Sequence, residues 1–212
     1  MRLTILGATG GTGRELISQG LAAGHEITAV VRDPARLGIT DERLVPVRAD
    51  VFDAASLEPA VKDADAVLSA LGHKSAGDTT PLCAEAARAT IAAMRATERR
   101  RLLVVSAAPV ARGDNGDRPL YAATIRPILR WALRRGYADM AVMEERVRSS
   151  DLDWTILRPP RLTNAAPTGR ARTALNRNVP GGYLVSRADL AAEMLLRIDD
   201  TRSCGAAVGI GN

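Results

Sequence analysis

Short apolar runs recur along this chain, separated by stretches with helical spacing. Residues 2–6, 27–31, 45–49, 66–71, 102–106, 154–157 and 206–210 read as strands. Most are near-continuous in Val, Ile, Leu and Ala, as strands covered on both faces are. Residues 12–23, 56–62, 80–97, 120–135, 139–149 and 187–198 read as helices. On the first, Leu16, Ile17, Gly20 and Leu21 share one face, and Gly24 supplies a stop. Ser56 and Ser186 stand where N-caps belong. Pro34 to Leu37 opens a short helix, and Pro127 is expected to break or kink its own. Strand and helix alternate throughout, so residues 1–212 are expected to form one α/β domain. It would hold a doubly wound parallel sheet with helices on both faces and a small C-terminal substrate-side region. Segment 109–137 reads as an irregular, lid-like stretch, and 158–186 as a substrate-side loop that is irregular over 163–178.

Composition narrows the class. Hydrophobic residues make up 46% and charged residues 25% of 212, which excludes global disorder. No apolar run approaches the roughly 20 residues of a membrane span. The N-terminal apolar run is short and ends in Gly7, unlike a signal peptide, so a cytoplasmic protein without a membrane partner is expected. Cys83 and Cys204 read as free thiols, and with only His25 and His73 beside them no metal site is expected. The net charge of +5 includes arginines at 99–101, 134–135, 170 and 172. The chain has only six aromatic residues, so these arginines do not form a nucleic-acid stacking platform. A small anionic ligand suits the charge.

The sharpest motif is Gly7-Ala8-Thr9-Gly10-Gly11-Thr12-Gly13, directly after a strand and opening a helix. Gly7 permits the tight turn, Gly10 lets a pyrophosphate approach the backbone, and Gly13 lets helix and strand pack closely. Phosphates then meet the helix N-terminus, and Thr9 and Thr12 add hydroxyl donors. This context predicts a Rossmann-like dinucleotide site. The second strand ends in Arg32, where an NAD-specific fold carries an acidic residue. Arg32 and Arg36 suit a 2′-phosphate, so NADP(H) is expected. Asp33 could reach a ribose hydroxyl and keeps NAD(H) open. Asp50 and Val51 follow the third strand, where the carboxylate either meets the adenine amino group or caps a turn. Ala70, Leu71 and Gly72 leave room for the cofactor ribose at the end of the fourth strand. Ser106 and the loop through Pro159 and Arg161 also lie at carboxyl ends of strands, where open α/β sheets bind ligands.

These residues, with Val-Val-Arg-Asp-Pro at 30–34, Val-Leu-Ser-Ala-Leu-Gly at 67–72 and Leu-Asp-Trp-Thr-Ile-Leu-Arg-Pro-Pro at 152–160, resemble the atypical short-chain dehydrogenases/reductases. The pattern is similar to the NmrA-like NAD(P)H-binding proteins and the biliverdin IXβ reductase/flavin reductase group, over residues 3 to about 195. The resemblance implies a serine after the fifth strand, here Ser106, and a Tyr-x-x-x-Lys pair. Registered on Glu144 and 152–155, the lysine position falls on Met140 and the tyrosine position on Gly136. Tyr137 is one residue off, and stays a candidate for swinging into the site with Ser106. The histidine of the biliverdin/flavin reductase group also falls on Met140.

A Tyr–Lys pair moves a proton to or from an alcohol oxygen, so its loss handicaps carbonyl reduction by roughly 10²–10⁴-fold. Flavins and quinones accept hydride more readily, and their reduced anions take a proton from water. An NAD(P)H-dependent reductase of such a small acceptor is therefore expected, as a monomer or homodimer. A non-catalytic NADP-sensing regulator is the alternative, since a sensor needs no acid. A nucleotide-sugar epimerase or dehydratase is a third reading, disfavoured because those enzymes usually add a sizeable C-terminal substrate domain. His73, just after a strand, is either a solvated loop residue or a proton donor. Tyr121 and Trp131 lie in the lid-like segment, as pocket wall or packing.

Overall fold

The computed structural model describes residues 1–73, 78, 80–111 and 123–212. Its centre is an eight-stranded sheet. In chain order the strands are β1 (Arg2–Leu6), β2 (Glu26–Val31), β3 (Leu44–Arg48), β4 (Ala66–Ser69), β5 (Arg101–Val105), β6 (Asp153–Arg158), β7 (Arg161–Thr163), β8 (Arg172–Leu175), β9 (Leu184–Ser186) and β10 (Ala206–Gly211). The order across the sheet is β3-β2-β1-β4-β5-β6-β10-β8, parallel except where β8 runs antiparallel to β10. The order reverses direction between β1 and β4, which creates the crevice where such sheets bind ligands. β7 and β9 form a separate two-stranded parallel ribbon.

Alternate side chains of each strand enter opposite cores. Leu3, Ile5, Leu103 and Leu157 meet Leu16 and Ile17 of α1 (Gly11–Ala22) and Leu190 and Met194 of α6 (Arg187–Leu196). Leu6, Val67, Leu102 and Ile156 meet Leu57 of α2 (Ala54–Val61), Met94 of α3 (Leu82–Ala96) and Val147 of α5 (Arg134–Arg148). Both faces are thus apolar, which is why the strands read as unbroken hydrophobic runs.

Several local expectations are corrected. α2 starts at Ala54 rather than Ser56, because Asp53 caps it by accepting from Ala55 N at 3.1 Å. Ser56 instead accepts from Asp50 N at 3.0 Å. β4 stops at Ser69; Ala70 N still donates to Leu6 O at 3.0 Å, and the chain then turns away over Gly7. The stretch read as irregular contains β8, whose pairing to β10 is a long-range fact. Pro127 is third in α4 (Ile125–Ala132), where an intrahelical N–H bond is not yet required, so the break falls at Leu133 instead. α5 then begins at Arg134, earlier than expected. Tyr121 lies outside the described residues.

Candidate functional site

The loop from β1 to α1 is shaped by its glycines. Gly7 has φ +79°, and a Cβ there would stand 2.8 Å from the Ala70 carbonyl carbon and oxygen. Gly10 N donates to Gly7 O at 2.9 Å and closes the turn. A Cβ on Gly13 would strike the Gly7 carbonyl. No side chain caps α1, and its first turn holds no acidic residue. The N–H groups that open a helix lack intrahelical partners, and α1 follows directly on the turn in which Gly7 packs against Ala70 beyond β4. Thr9 is exposed beside them, and Thr12 is buried. Gly11 lies under the side chain of Arg187, the first residue of α6.

Two arginines follow β2 and a third reaches the same segment from α1. Arg32 and Arg36 are exposed, and an Arg14 guanidinium N–H donates to Arg36 O at 3.1 Å. Asp33 is engaged elsewhere: its carboxylate accepts from Ala35 N at 3.1 Å and caps the 3-10 turn Pro34–Arg36. Asp50 likewise serves a turn, accepting from Phe52 N at 3.0 Å, while Val51 packs partly against the core. Ala70 and Leu71 are half-buried and Gly72 is exposed, with open space where a Cβ would stand. Pro159 is buried, with its carbonyl accepting from Ala108 N at 2.8 Å. Arg161 is exposed at the start of β7, just past the carboxyl end of β6, which runs parallel to the other strands of that half of the sheet.

Ser106 is fixed from two sides. Its N–H donates to Leu157 O at 2.7 Å, and its hydroxyl donates to Glu144 Oε1 at 2.7 Å. Glu144 is almost wholly buried and forms a two-point ion pair with Arg158, whose Nε donates at 2.8 Å. β5, β6 and α5 are thus tied by one polar cluster. With its proton committed to Glu144, Ser106 offers lone pairs rather than a proton to anything beside it.

On the first turn of α5, Gly136 lies beside the ring of His73. A Cβ there would lie 3.6 Å from His73 Nδ1. His73 Nε2 lies 2.9 Å from Thr80 O and 3.3 Å from Asp139 Oδ2. Both are acceptors, so Nε2 is the donor. His73 is therefore a packed residue with a carboxylate partner, not a solvated loop histidine. Asp139 also accepts from Cys83 N at 2.8 Å and Ala84 N at 3.0 Å, capping α3 from a neighbouring helix. Burial, followed by the Asp139 charge, pushes the Cys83 thiol up to about 12, so it stays protonated. His73, Cys83 and Asp139 are ligand-type groups within 4.8 Å of one another, and among the described residues the buried His73 Nδ1 has no hydrogen-bond partner. Met140 packs partly against the α3 side of the core, and Tyr137 is half-buried on α5.

A family model described as NAD(P)H-binding matches residues 7–201. The chain belongs to this NAD(P)H-binding family. It is 26% identical over 208 residues to the uncharacterized protein YwnB of Bacillus subtilis, across 92% of this chain and 91% of that one. It is 31% identical over 235 residues to the 3-diazoavenalumate denitrifying reductase of a Streptomyces species, across 98% and 71% respectively. Its fold matches that of the oxidoreductase ylbE from Lactococcus lactis with a TM-score of 0.82 at 19% identity, across 100% of this chain and 91% of that one.

For a member of the NAD(P)H-binding family, the glycine turn, Arg32 and Ser106 were readable in order along the chain. Arg14 was missed, although it directly follows Gly13 and so had to lie on the first turn of α1. Glu144, Asp139 and Arg187 gave no local signal. Glu144 meets Ser106 across 38 residues, Asp139 meets Cys83 across 56, and Arg187 lies over Gly11 from the far end of the chain, so only the fold makes these contacts.

Proposed function

We propose that the protein is an NADPH-preferring reductase that passes hydride to a flavin, quinone or similar acceptor without a Tyr–Lys proton relay. The observation that carries the cofactor preference is the exposed pair Arg32 and Arg36 just past β2, with Arg14 bonded to the Arg36 carbonyl and Asp33 turned into a backbone cap. A planar guanidinium can bind a 2′-phosphate with two hydrogen bonds. The residues present fit a dinucleotide: Gly7 and Gly13 hold the turn open where any Cβ would collide, and the uncapped first turn of α1 offers N–H donors.

When bound, the nicotinamide supplies the hydride. The chain's own residues then bind and orient. The glycine turn takes the pyrophosphate, the arginines take the 2′-phosphate, and Ala70, Leu71 and Gly72 flank the ribose. Ser106, pinned by Glu144, accepts a hydrogen bond from the nicotinamide amide or the acceptor. Gly136 and Met140 supply no proton, so the reduced acceptor takes its proton from water. This favours acceptors whose two-electron reduction leaves a stabilised anion. The reductase name of the Streptomyces relative agrees with this reading.

The test is NADPH oxidation, followed by reduced-nicotinamide absorbance, with FMN, riboflavin, a benzoquinone and biliverdin, and NADH in parallel. Turnover favouring NADPH is expected. Arg32→Asp should weaken NADPH by a factor of ten or more, since a hydrogen bond to a charged group is worth about 1.5–3 kcal/mol, and leave NADH little changed. Saturable NADPH binding with no turnover on any acceptor would instead favour an NADP-sensing regulator, a reading that Gly136, Met140 and the committed Ser106 proton also suit.

A further inference from the structure

Arg187 opens α6, yet its side chain lies across the glycine turn rather than along its own helix. A Cβ on Gly11 would stand 2.6 Å from Arg187 Cδ and 2.8 Å from Nε. Gly11 is therefore the residue that lets the guanidinium come down onto the first turn of α1. Among the described residues its hydrogen-bond partner is neutral: an Arg187 N–H donates to Asn164 Oδ1 at 2.6 Å. Asn164 directly follows β7, in the substrate-side region.

The electrostatics of this placement favour an anion. Each helix N-terminus carries roughly half a positive charge. Arg187 is the first residue of α6 and stands over the first residue of α1. Asp189 offsets part of the α6 field, but its carboxylate is also shared among Ser186, Thr168 and Gly169. A guanidinium so placed is best stabilised by an anion that all three positive groups share. The same bonds to Asp189 fix the start of α6 against residues 168–169, so Arg187 is held at the turn by a rigid base.

We infer that Arg187 is a cofactor-binding residue that grips the pyrophosphate seated on the glycine turn, exchanging Asn164 for phosphate oxygens. The guanidinium fork would then link the β7–β9 ribbon and α6 to the diphosphate. This rests on dinucleotide binding at the turn and not on the identity of the acceptor, and its adenosine 2′-phosphate control also uses the 2′-phosphate site.

Calorimetric titration of NADPH, NADH and adenosine 2′-phosphate into the wild type, Arg187→Met and Arg187→Lys tests it. Arg187→Met should weaken NADPH and NADH by the same factor, about tenfold or more, since the pyrophosphate is common to both and a charged hydrogen bond is worth about 1.5–3 kcal/mol. Adenosine 2′-phosphate lacks the pyrophosphate and should bind wild type and variant alike, which general damage to the fold would not allow. Arg187→Lys should recover part of the loss as a point charge without the fork. Wild-type affinity for both dinucleotides in Arg187→Met would overturn the inference. So would equal weakening of adenosine 2′-phosphate. A wild-type protein that binds neither dinucleotide would instead reject the cofactor reading itself.

Discussion

At the scale of single residues, the glycines of the turn are not equivalent. A Cβ on Gly13 meets backbone, the Gly7 carbonyl, which cannot rotate away. One on Gly10 meets only Gly7 O at 3.2 Å. Gly13→Ala should therefore lose at least the roughly 1–3 kcal/mol typical of overpacking, and Gly10→Ala clearly less. Urea denaturation of both variants checks the ranking. Glu144 is the other sensitive residue. Its removal strands the Arg158 guanidinium in a buried position, and breaking a buried pair costs about 3–5 kcal/mol. Ser106→Ala, which deletes one hydrogen bond to that carboxylate, should cost about 1.5–3 kcal/mol. If Glu144→Ala proves milder than Ser106→Ala, the cluster is not held as described. Ser106 was legible because it ends an apolar strand. Its dependence on Glu144 was not, because 38 residues separate the two.

At the scale of elements, the start of α6 is fastened by one carboxylate. Burial alone would raise the Asp189 pKa, but the bonds from Gly169 N, Ser186 Oγ, Thr168 Oγ1 and Thr168 N outweigh it and hold the group below its ordinary value. A depressed folded-state pKa contributes stability that is present above the unfolded value near 3.9. That contribution is lost as pH falls through the folded value. Wild-type protein should therefore lose more stability than Asp189→Asn on going from pH 6 to pH 3, while Asp189→Asn is the less stable of the two at pH 6. Thermal melts across this range decide it; parallel pH profiles would count against the role. Ser186 was readable as the α6 cap, and it accepts from Asp189 N at 2.9 Å. The tie from Asp189 to residues 168–169 was not, because that segment has no periodicity to mark where it docks.

At the scale of the whole molecule, the cofactor crevice lies between the two halves of the sheet, so ligand binding stabilises the native state as a unit. Ligand at a hundred times its Kd adds about 2.7 kcal/mol. For a chain of this size that corresponds to roughly 5–10 °C in Tm. At equal concentration NADPH should raise Tm more than NADH, and the difference should vanish in Arg32→Asp. Equal shifts with the wild-type protein would remove the case for Arg32 and Arg36.

The sequence by itself determined the doubly wound α/β architecture, since apolar runs of strand length alternating with amphipathic helices can bury both sheet faces in few other ways. It also determined the glycine turn, because backbone geometry that excludes a Cβ writes glycine directly into the chain. Tertiary structure alone decided which side chains complete the site. Arg187 over Gly11, Glu144 under Ser106 and Asp139 beside His73 are contacts between elements far apart in sequence. Periodicity reports which face of an element is buried, not which distant polar group waits there.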